Sequence, residues 1–316
     1  MKNKKLIILS LLGLLLLSSC RNNAPKDRYT DTLTTGVVGI SADESFRPIV
    51  QQEIDVFENK FPKAGIVPFF VSEVDAINLL LRDSVRLAIT TRKLTEGEKE
   101  YLKSRKFFAK ETKIATDGIA VIVNNRNADS LISVSDLQKI MTGKITNWKE
   151  LNPNSTLGEL KLVFDNPNSS TVRYAIDSIC RGEQLSSNLY AQKDNPAVID
   201  FVAQTPGAIG IIGAAWIGNK NDSTRLSFTE DVRVMSVSRE KVATPYNSYK
   251  PYQAYLALGD YPLTRDVYIL LTDPRTGLSS GFTTFVASDI GQRIILRSGI
   301  VPATQHIRIV NVRDNF

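Results

Sequence analysis

Histidine is almost missing from this chain: one residue, His306, in 316. Zinc sites built on imidazole, and Ser-His or Cys-His catalysis, need groups that the sequence does not supply. His306 sits in Thr304-Gln305-His306-Ile307 and reads as a surface residue. Cysteine is nearly as scarce, with Cys20 and Cys180 the two present. No apolar run after residue 20 approaches the roughly 20 residues that a membrane-spanning helix needs. Clusters of Lys and Arg with interleaved aromatics are lacking too, so nucleic acid is not an expected partner. There is no internal repeat and no low-complexity tract.

What is present starts at the N-terminus. Lys2, Lys4 and Lys5 precede an apolar run from Leu6 to Leu17, broken only by Ser10 and Gly13. A charged segment followed by a short apolar one is the pattern of a cleaved export signal. The run ends in Leu17-Ser18-Ser19-Cys20, with small residues directly before a cysteine. Residues 1–19 therefore read as a lipoprotein signal peptide, with cleavage before Cys20. The thiol and the new amino group of Cys20 would carry acyl chains, and two or more chains anchor stably where one does not. A plain signal peptide with an incidental cysteine is the alternative. Residues 20–34 are polar and aperiodic and read as a tether. The expected location is the periplasm or cell envelope, lipid-anchored to a membrane. Arg21 after the cysteine suggests the outer membrane by the sorting rule of Gram-negative bacteria, and the leaflet stays open. Loss of three lysines with the signal takes the formal charge from +6 to +3, mildly basic. With Cys20 acylated, Cys180 has no intramolecular partner despite an oxidising compartment.

About 280 residues remain, enough for one large domain or two linked lobes. Short β-rich runs alternate with helical patterns. Strands are expected at Val37–Ile40, Ile66–Val71, Val85–Thr90, Ile119–Val123, Leu160–Phe164, Ala208–Ile212, Val232–Val237, Val267–Leu271 and Ile307–Val310. Helices are expected at Pro48–Lys60, Glu73–Arg82, Thr95–Ser104, Ser135–Met141, Thr171–Cys180, Pro196–Gln204 and Phe282–Leu296. Such alternation argues for an α/β fold with mostly parallel strands.

Three strands run into polar turns that start helices: Ser41-Ala42-Asp43-Glu44-Ser45-Phe46, Ser72-Glu73-Val74-Asp75, and Asp165 to Thr171. Ligands of open α/β sheets sit at such carboxyl ends of strands, where helix N-termini favour an anion. Each turn also has a plain reading. Ser72 with Asp75 makes a capping box, and Ser169, Ser170 or Thr171 makes an N-cap. Arg47, Arg92 and Arg173 stand close to these turns in sequence.

Asp117-Gly118-Ile119-Ala120-Val121-Ile122-Val123-Asn124, followed by Leu137-Gln138-Lys139-Ile140-Met141-Thr142-Gly143-Lys144-Ile145-Thr146-Asn147-Trp148, resembles the PstS-type phosphate-binding proteins of bacterial ABC phosphate importers. Pro206-Gly207-Ala208-Ile209-Gly210 is similar to another motif of that family. So are Tyr261-Pro262-Leu263-Thr264-Arg265, Ile290-Gly291-Gln292 and Gly299-Ile300-Val301-Pro302. The likeness spans residues 35–305. Most of these residues read physically as scaffold. Gly143 is placed as the C′ residue of the helix 135–141, Trp148 as core, and Gly207 and Gly210 as a turn and a close strand approach.

The resemblance implies a two-lobed α/β clamp, the type II periplasmic-binding-protein fold. Lobe 1 would be residues 35–116 plus 263–316, and lobe 2 residues 117–262, with a ligand cleft between them. Hinges would lie near 115–118 and 258–264, with closure around the ligand. Family contacts fall on Ser45 and Phe46, on Ser72, and on Ser169, Ser170 and Thr171, where Ser170 replaces a glycine. The family aspartate that accepts the proton of hydrogen phosphate falls at Thr91, followed by Arg92. A family arginine falls at Asp165, and Arg173 is its expected substitute. Arg173 and Arg92 are thus the expected cationic contacts from opposite lobes. Asp117, Asp165, Asp43, Glu44 or Glu73 would supply a carboxylate acceptor, or the site takes another oxyanion.

Six to eight hydrogen bonds to charge, at roughly 1.5–3 kcal/mol each, less the costs of closure and desolvation, leave about 8 kcal/mol, roughly micromolar binding. No cofactor or metal is called for. The implied function is a lipid-anchored binding protein that captures phosphate or a related oxyanion for an inner-membrane ABC permease. A drifted oxyanion sensor or surface interaction protein is one alternative. A phosphatase on the same fold is another.

Overall fold

The computed structural model describes residues 31–219, 222 and 227–305. The signal segment, Cys20, Arg21, His306 and the strand expected at Ile307–Val310 lie outside the described residues.

The first third of the chain follows its local signals. Strand β1 (Gly36–Asp43) ends in a single 3-10 turn over Glu44–Phe46, closed by the Asp43 carboxylate, which accepts the Ser45 N–H at 2.8 Å. Pro48 in the first turn opens α1 (Arg47–Lys60), where its missing N–H costs nothing. Strand β2 (Ala64–Val71) leads to α2 (Glu73–Leu81). Ser72 caps α2: its Oγ accepts the Asp75 N–H at 3.2 Å and donates to Asp75 Oδ2 at 2.7 Å. Strand β3 (Leu87–Thr90) precedes α3 (Glu96–Ser104), which opens on a reciprocal Thr95–Glu98 capping box.

Strand β4 (Lys110–Val123) is the longest element of the sheet. Beyond it come β5 (Leu131–Ser133), α4 (Val134–Met141), α5 (Trp148–Leu151), β6 (Lys161–Phe164), α6 (Ser170–Tyr174), β7 (Leu189–Ala191), α7 (Asn195–Gln204) and β8 (Ala208–Gly213). The remaining elements are β9 (Arg233–Val234), β10 (Ser236–Ser238), β11 (Ser248–Tyr249), α8 (Gln253–Leu258), β12 (Thr264–Leu271), α9 (Leu278–Ala287), α10 (Asp289–Arg297) and β13 (Val301–Pro302). Gly143 follows α4 at φ +75°, as a C′ glycine should. Trp148 is fully buried, and its indole N–H donates to the Gly207 carbonyl at 2.9 Å.

The main sheet runs β2-β1-β3-β12-β4-β8-β6-β7, with β13 and β9 also on β4. Parallel pairing holds at its two ends, where β1 joins β2 and β3, and β6 joins β7 and β8. The middle is antiparallel: β12 pairs β3 and β4, and β4 pairs β8. The reason is topological. The chain leaves the first half of the sheet along β4 and returns along β12, so the two crossings point in opposite directions. Buried apolar side chains divide at the same place. Those from residues 40–115 and 267–300 pack among themselves, and those from 119–263 do likewise.

Three local expectations are corrected. Lys110–Gly118 is strand, although its polar alternation gives little apolar signal. The helix expected over Phe282–Leu296 is two helices, α9 and α10, separated by extended Ser288. They turn tightly on Gly291, where a Cβ would lie 2.5 Å from the Phe285 carbonyl oxygen. The helix expected over Thr171–Cys180 is α6 followed by a π turn over Ala175–Ile179, with the Cys180 N–H donating to the Ala175 carbonyl. Cys180 is a buried free thiol.

Candidate functional site

Strand ends and the two crossing strands deliver polar side chains to one buried place. Asp43 ends β1, Ser72 and Glu73 follow β2, Thr90 ends β3 with Thr91 next to it, and Asp165 follows β6. All of them are buried, an arrangement that needs partners to be tolerable. Asp117 on β4 and Arg265 on β12 stand directly opposite each other in the antiparallel ladder, so both side chains project from one face.

Arg265, 6% exposed, is the hub. Its Nε donates to Asp117 Oδ2 at 3.0 Å and its Nη1 to Ser170 Oγ at 2.7 Å. Its guanidinium carbon sits 5.2 Å above the centre of the Phe46 ring, a cation–π contact. Nη2 lies 3.0 Å from Asp117 Oδ2 but lacks hydrogen-bonding geometry to any partner among the described residues. Ser45 Oγ and Thr171 Oγ1 are buried and also unpartnered among the described residues. A Cβ on Gly213, at the end of β8, would lie 3.3 Å from Arg265 Nη2, 3.7 Å from Asp117 Oδ2 and 3.7 Å from Ser45 Cβ. Arg265, Asp117 and Ser45 therefore meet at one spot beside Gly213.

A second set of bonds joins the two halves of the sheet around this spot. Asp43 Oδ2 accepts the Ser170 N–H at 3.3 Å. The Trp216 indole N–H donates to the Ser45 carbonyl at 2.9 Å. Asn195 Nδ2 donates to Glu44 Oε2 at 2.7 Å and to Asp165 Oδ2 at 3.2 Å. Arg173 Nε donates to Glu73 Oε2 at 2.6 Å, and its Nη2 to Thr91 Oγ1 at 2.7 Å. Glu73 Oε1 accepts both the N–H and the hydroxyl of Thr91 at 2.7 Å.

Electrostatics follows this wiring. Burial pushes Asp43 and Asp117 above the usual carboxylate range, against the pull of Arg265. Burial pushes Asp165 up to about 7, with the Ser169 hydroxyl pulling it back and the Asp43 charge adding to the rise. For Glu73 burial is again the largest influence, but the hydrogen bonds and charge of Arg173 and the donors of Thr91 outweigh it and hold the carboxyl low.

Most residues singled out in the sequence come together here: Ser45, Phe46, Ser72, Thr91, Asp117, Ser169, Ser170, Thr171 and Arg173 belong to the buried group or its rim. Ser169 caps α6, accepting the Val172 N–H at 3.2 Å, and donates to Asp165 Oδ1 at 2.5 Å. Two expectations about charge change. Arg92 turns to α3, where its two terminal nitrogens donate to Glu98 at 2.7 and 2.8 Å. Arg173 spends its guanidinium on Glu73, Thr91 and Asp177. Arg265, the last residue of the Tyr261–Arg265 motif, takes the central position. Its signal was a guanidinium at the head of an apolar strand, matched by the carboxylate of Asp117 just before the apolar run Ile119–Val123.

A family model described as PBP superfamily domain matches residues 29–289. The chain belongs to the PBP superfamily. Among curated relatives of this PBP-superfamily chain, the phosphate-binding protein PstS of Bacillus subtilis is 25% identical over 315 residues, covering 96% of this chain and 95% of its own length. PstS of Borreliella burgdorferi is 24% identical over 308 residues, covering 94% and 98%. A Clostridium perfringens ABC transporter substrate-binding protein solved with phosphate bound superposes with a TM-score of 0.72 at 21% identity, over 85% of this chain and all of that one. An ABC-type phosphate transport receptor from Vibrio cholerae gives 0.64 at 21% identity, over 84% and 100%. The architecture of this PBP-superfamily chain is the type II fold of those structures.

Proposed function

We propose that this PBP-superfamily protein captures phosphate between two lobes and hands it to the permease of an ABC importer. Lobe 1 is residues 35–116 with 263–316, and lobe 2 is residues 117–262. One observation carries the reading. Three buried donors, Ser45 Oγ, Thr171 Oγ1 and Arg265 Nη2, lack hydrogen-bond partners among the described residues, and Ser45 and Arg265 flank the same glycine. An unpaired buried donor costs about 1–3 kcal/mol, and a tetrahedral oxyanion would satisfy all three. The phosphate-binding names of the relatives support the same ligand.

In this reading Arg265 is the cationic contact, Phe46 supports it from below, and Ser45, Ser170 and Thr171 complete the cage. Ser72, Thr91 and Ser169 hold the strand-end turns in shape. Arg173 bridges the lobes at the rim through Glu73. The family is one of binding proteins rather than enzymes, and the site is read accordingly as one that holds its anion without transforming it. Lipid on Cys20, reached by the tether 20–34, keeps the receptor at a membrane of the cell envelope near its inner-membrane permease.

A calorimetric panel of phosphate, arsenate, sulfate and molybdate tests this. Phosphate is expected to bind at roughly micromolar strength or tighter, from the balance of charged hydrogen bonds against closure. Binding of no oxyanion would sink the capture reading and favour a drifted interaction protein.

A further inference from the structure

We propose that the corner between α3 and β4 is a lipid-docking surface, with Phe108 and the cations around it seated on an anionic phospholipid leaflet. This goes beyond phosphate capture and rests on the anchor assigned to Cys20. Against the expectation that basic-aromatic clusters are lacking, Lys103-Ser104-Arg105-Lys106-Phe107-Phe108-Ala109-Lys110 sets four cations and two aromatics together with no acid among them. All four cations are exposed, and none makes an ion pair among the described residues. The flanking acids are Glu100 and Glu111, and Glu111 is turned to the Leu94 N–H and to Lys99. Phe108 is 72% exposed, and Tyr101 on α3 is 48% exposed.

The corner is built to hold this pattern. At the end of α3 the Lys106 N–H donates to the Lys103 carbonyl and the Phe107 N–H to the Leu102 carbonyl, both at 2.9 Å, which is a Schellman ending. The left-handed position that such an ending usually gives to glycine is held here by Lys106, at φ +64°. A side chain there carries a penalty that glycine avoids, so the cation is kept against local preference. Phe107 packs inward on the cluster that includes Leu80, Leu94 and Leu102. Arg105 donates to the Leu81 carbonyl at 2.8 Å, with its guanidinium carbon 5.8 Å from the centre of the Tyr101 ring and 5.7 Å from that of Phe107. With Phe107 and Arg105 fixed in this way, Phe108 is left in solvent.

Sheet topology puts this corner at the end where the chain enters. Lys110, the first residue of β4, lies level with Leu271 of β12 and through it with Leu87, the first residue of β3. β3 pairs β1 in parallel at Ala88 and Ser41. The starts of β1, β3 and β4 therefore share one end of the sheet, and β1 starts at Gly36, directly after the tether. Asp43 and Thr91 mark the opposite end. Asp117 is seven residues along β4 from Lys110, roughly 23 Å at about 3.3 Å per residue. A docked corner thus holds the cleft clear of the leaflet. Cations around one protruding ring suit phosphate headgroups over a shallow apolar layer, with lysine stems lying along it. They suit a protein partner less, since lysine is depleted at the cores of protein interfaces. Each cation near an anionic leaflet strengthens adsorption by about fivefold. Four such steps orient a protein that its lipid already holds at the surface, without recruiting a free one.

The test places the acylated protein in vesicles of phosphatidylcholine, with or without phosphatidylglycerol, and reads tryptophan quenching by phospholipid brominated in the upper acyl chain. Phe108→Trp is compared with Tyr246→Trp, at a residue of lobe 2 that is 95% exposed; both variants also hold Trp148 and Trp216. In anionic vesicles Phe108→Trp is expected to be quenched at least about twofold more than Tyr246→Trp. High salt, or Lys103→Glu, Lys106→Glu and Lys110→Glu combined with Phe108→Trp, should bring it to the reference level. Calorimetry should find phosphate affinity unchanged in the charge-reversed protein, so docking and capture are read separately. Equal quenching of the two tryptophans in anionic vesicles overturns the proposal and leaves an acidic protein surface as the partner of this corner. Quenching of Phe108→Trp that is as strong without phosphatidylglycerol, or that survives both salt and charge reversal, overturns it too. If the charge-reversed protein does not fold, the salt series decides. A protein that floats with neither kind of vesicle removes the anchor and the docking together, whatever its phosphate affinity.

Discussion

Replacing Arg265 separates its role from that of Arg173. Arg265→Ala removes the charged hydrogen bond that Nη2 would make to the anion, which contributes about 1.5–3 kcal/mol. It also frees Ser170, whose hydroxyl is oriented by Nη1 at 2.7 Å. At 1.4 kcal/mol per decade, loss of phosphate affinity of about 100-fold is the expected scale. The same substitution leaves Asp117 buried without its cation, and breaking such a pair costs about 3–5 kcal/mol of stability. The two effects must be read separately. Arg173 is different in kind: its side chain is 31% exposed and engaged by Glu73 at 2.6 Å. Its removal loosens a bridge between the lobes, so the effect on affinity should stay under about tenfold, given the screening of a part-exposed pair.

Thermal or urea unfolding with and without phosphate gives the decision. At a phosphate concentration 1,000 times the wild-type Kd, the ligand should stabilise the wild type by about 4.1 kcal/mol. A 100-fold weaker Arg265→Ala should gain only about 1.4 kcal/mol at that concentration, whatever its own baseline. Arg173→Ala should gain at least about 2.7 kcal/mol. A stabilisation of Arg265→Ala equal to the wild type, with Arg173→Ala losing most of its own, would return the central charge to Arg173 and refute the role of Arg265.

The remaining predictions address the cavity, the core and the anchor. Gly213 has φ −68° and ψ 139°, a backbone that valine adopts without strain, so Gly213→Val should fold at an overpacking cost of about 1–3 kcal/mol and lose phosphate binding in calorimetry. A valine variant with wild-type affinity would show that the anion sits elsewhere. Glu53 on α1 is buried with neither carboxylate oxygen partnered among the described residues, and burial pushes it up to about 9 from 4.5. The folded state therefore keeps a proton that the unfolded chain has lost. Stability should be complete below pH 4.5 and fall as pH rises toward 9, by up to about 1.4 kcal/mol per unit. Urea titrations should show Glu53→Gln flattening that slope, and an unchanged slope would exclude Glu53 as its source. Cys20→Ser should move the protein out of the membrane fraction and abolish labelling by an alkyne fatty acid; continued labelling would put the lipid on another residue.

Local chemistry was legible in the sequence wherever it is decided by near neighbours. Ser72 with Asp75 and Ser169 before α6 announce helix starts, and the turns after β1, β2 and β6 do converge. Parallel ends of the sheet follow from strand–helix alternation. The charge pattern was not legible, because it is decided by partners far apart in the chain. Arg173 and Glu73 are 100 residues apart, and Arg265 and Asp117 are 148 apart. Arg92 lies near a strand-end turn in sequence, yet the capping glutamate of the next helix claims it. Lys110–Gly118 hid for a related reason: it is strand because β12 returns alongside it, and its own residues carry little apolar signal.

The placement of Arg265 and Asp117 ties ligand recognition to the motion of a clamp. Both belong to crossing strands, and their pairing is a rung of the β4–β12 ladder. In the proposed capture, lobes parting about such strands would leave this rung intact, since both partners belong to the strands that cross. The contacts that must break are those reaching across: Ser170 to Asp43, Asn195 to Glu44, Trp216 to Ser45 and Arg173 to Glu73. In that reading an open clamp would keep the Arg265 guanidinium and Asp117 in register to meet an anion. Closure would then add the hydroxyl of Thr171. In the capture reading the fixed guanidinium would meet the anion first and the Thr171 hydroxyl last.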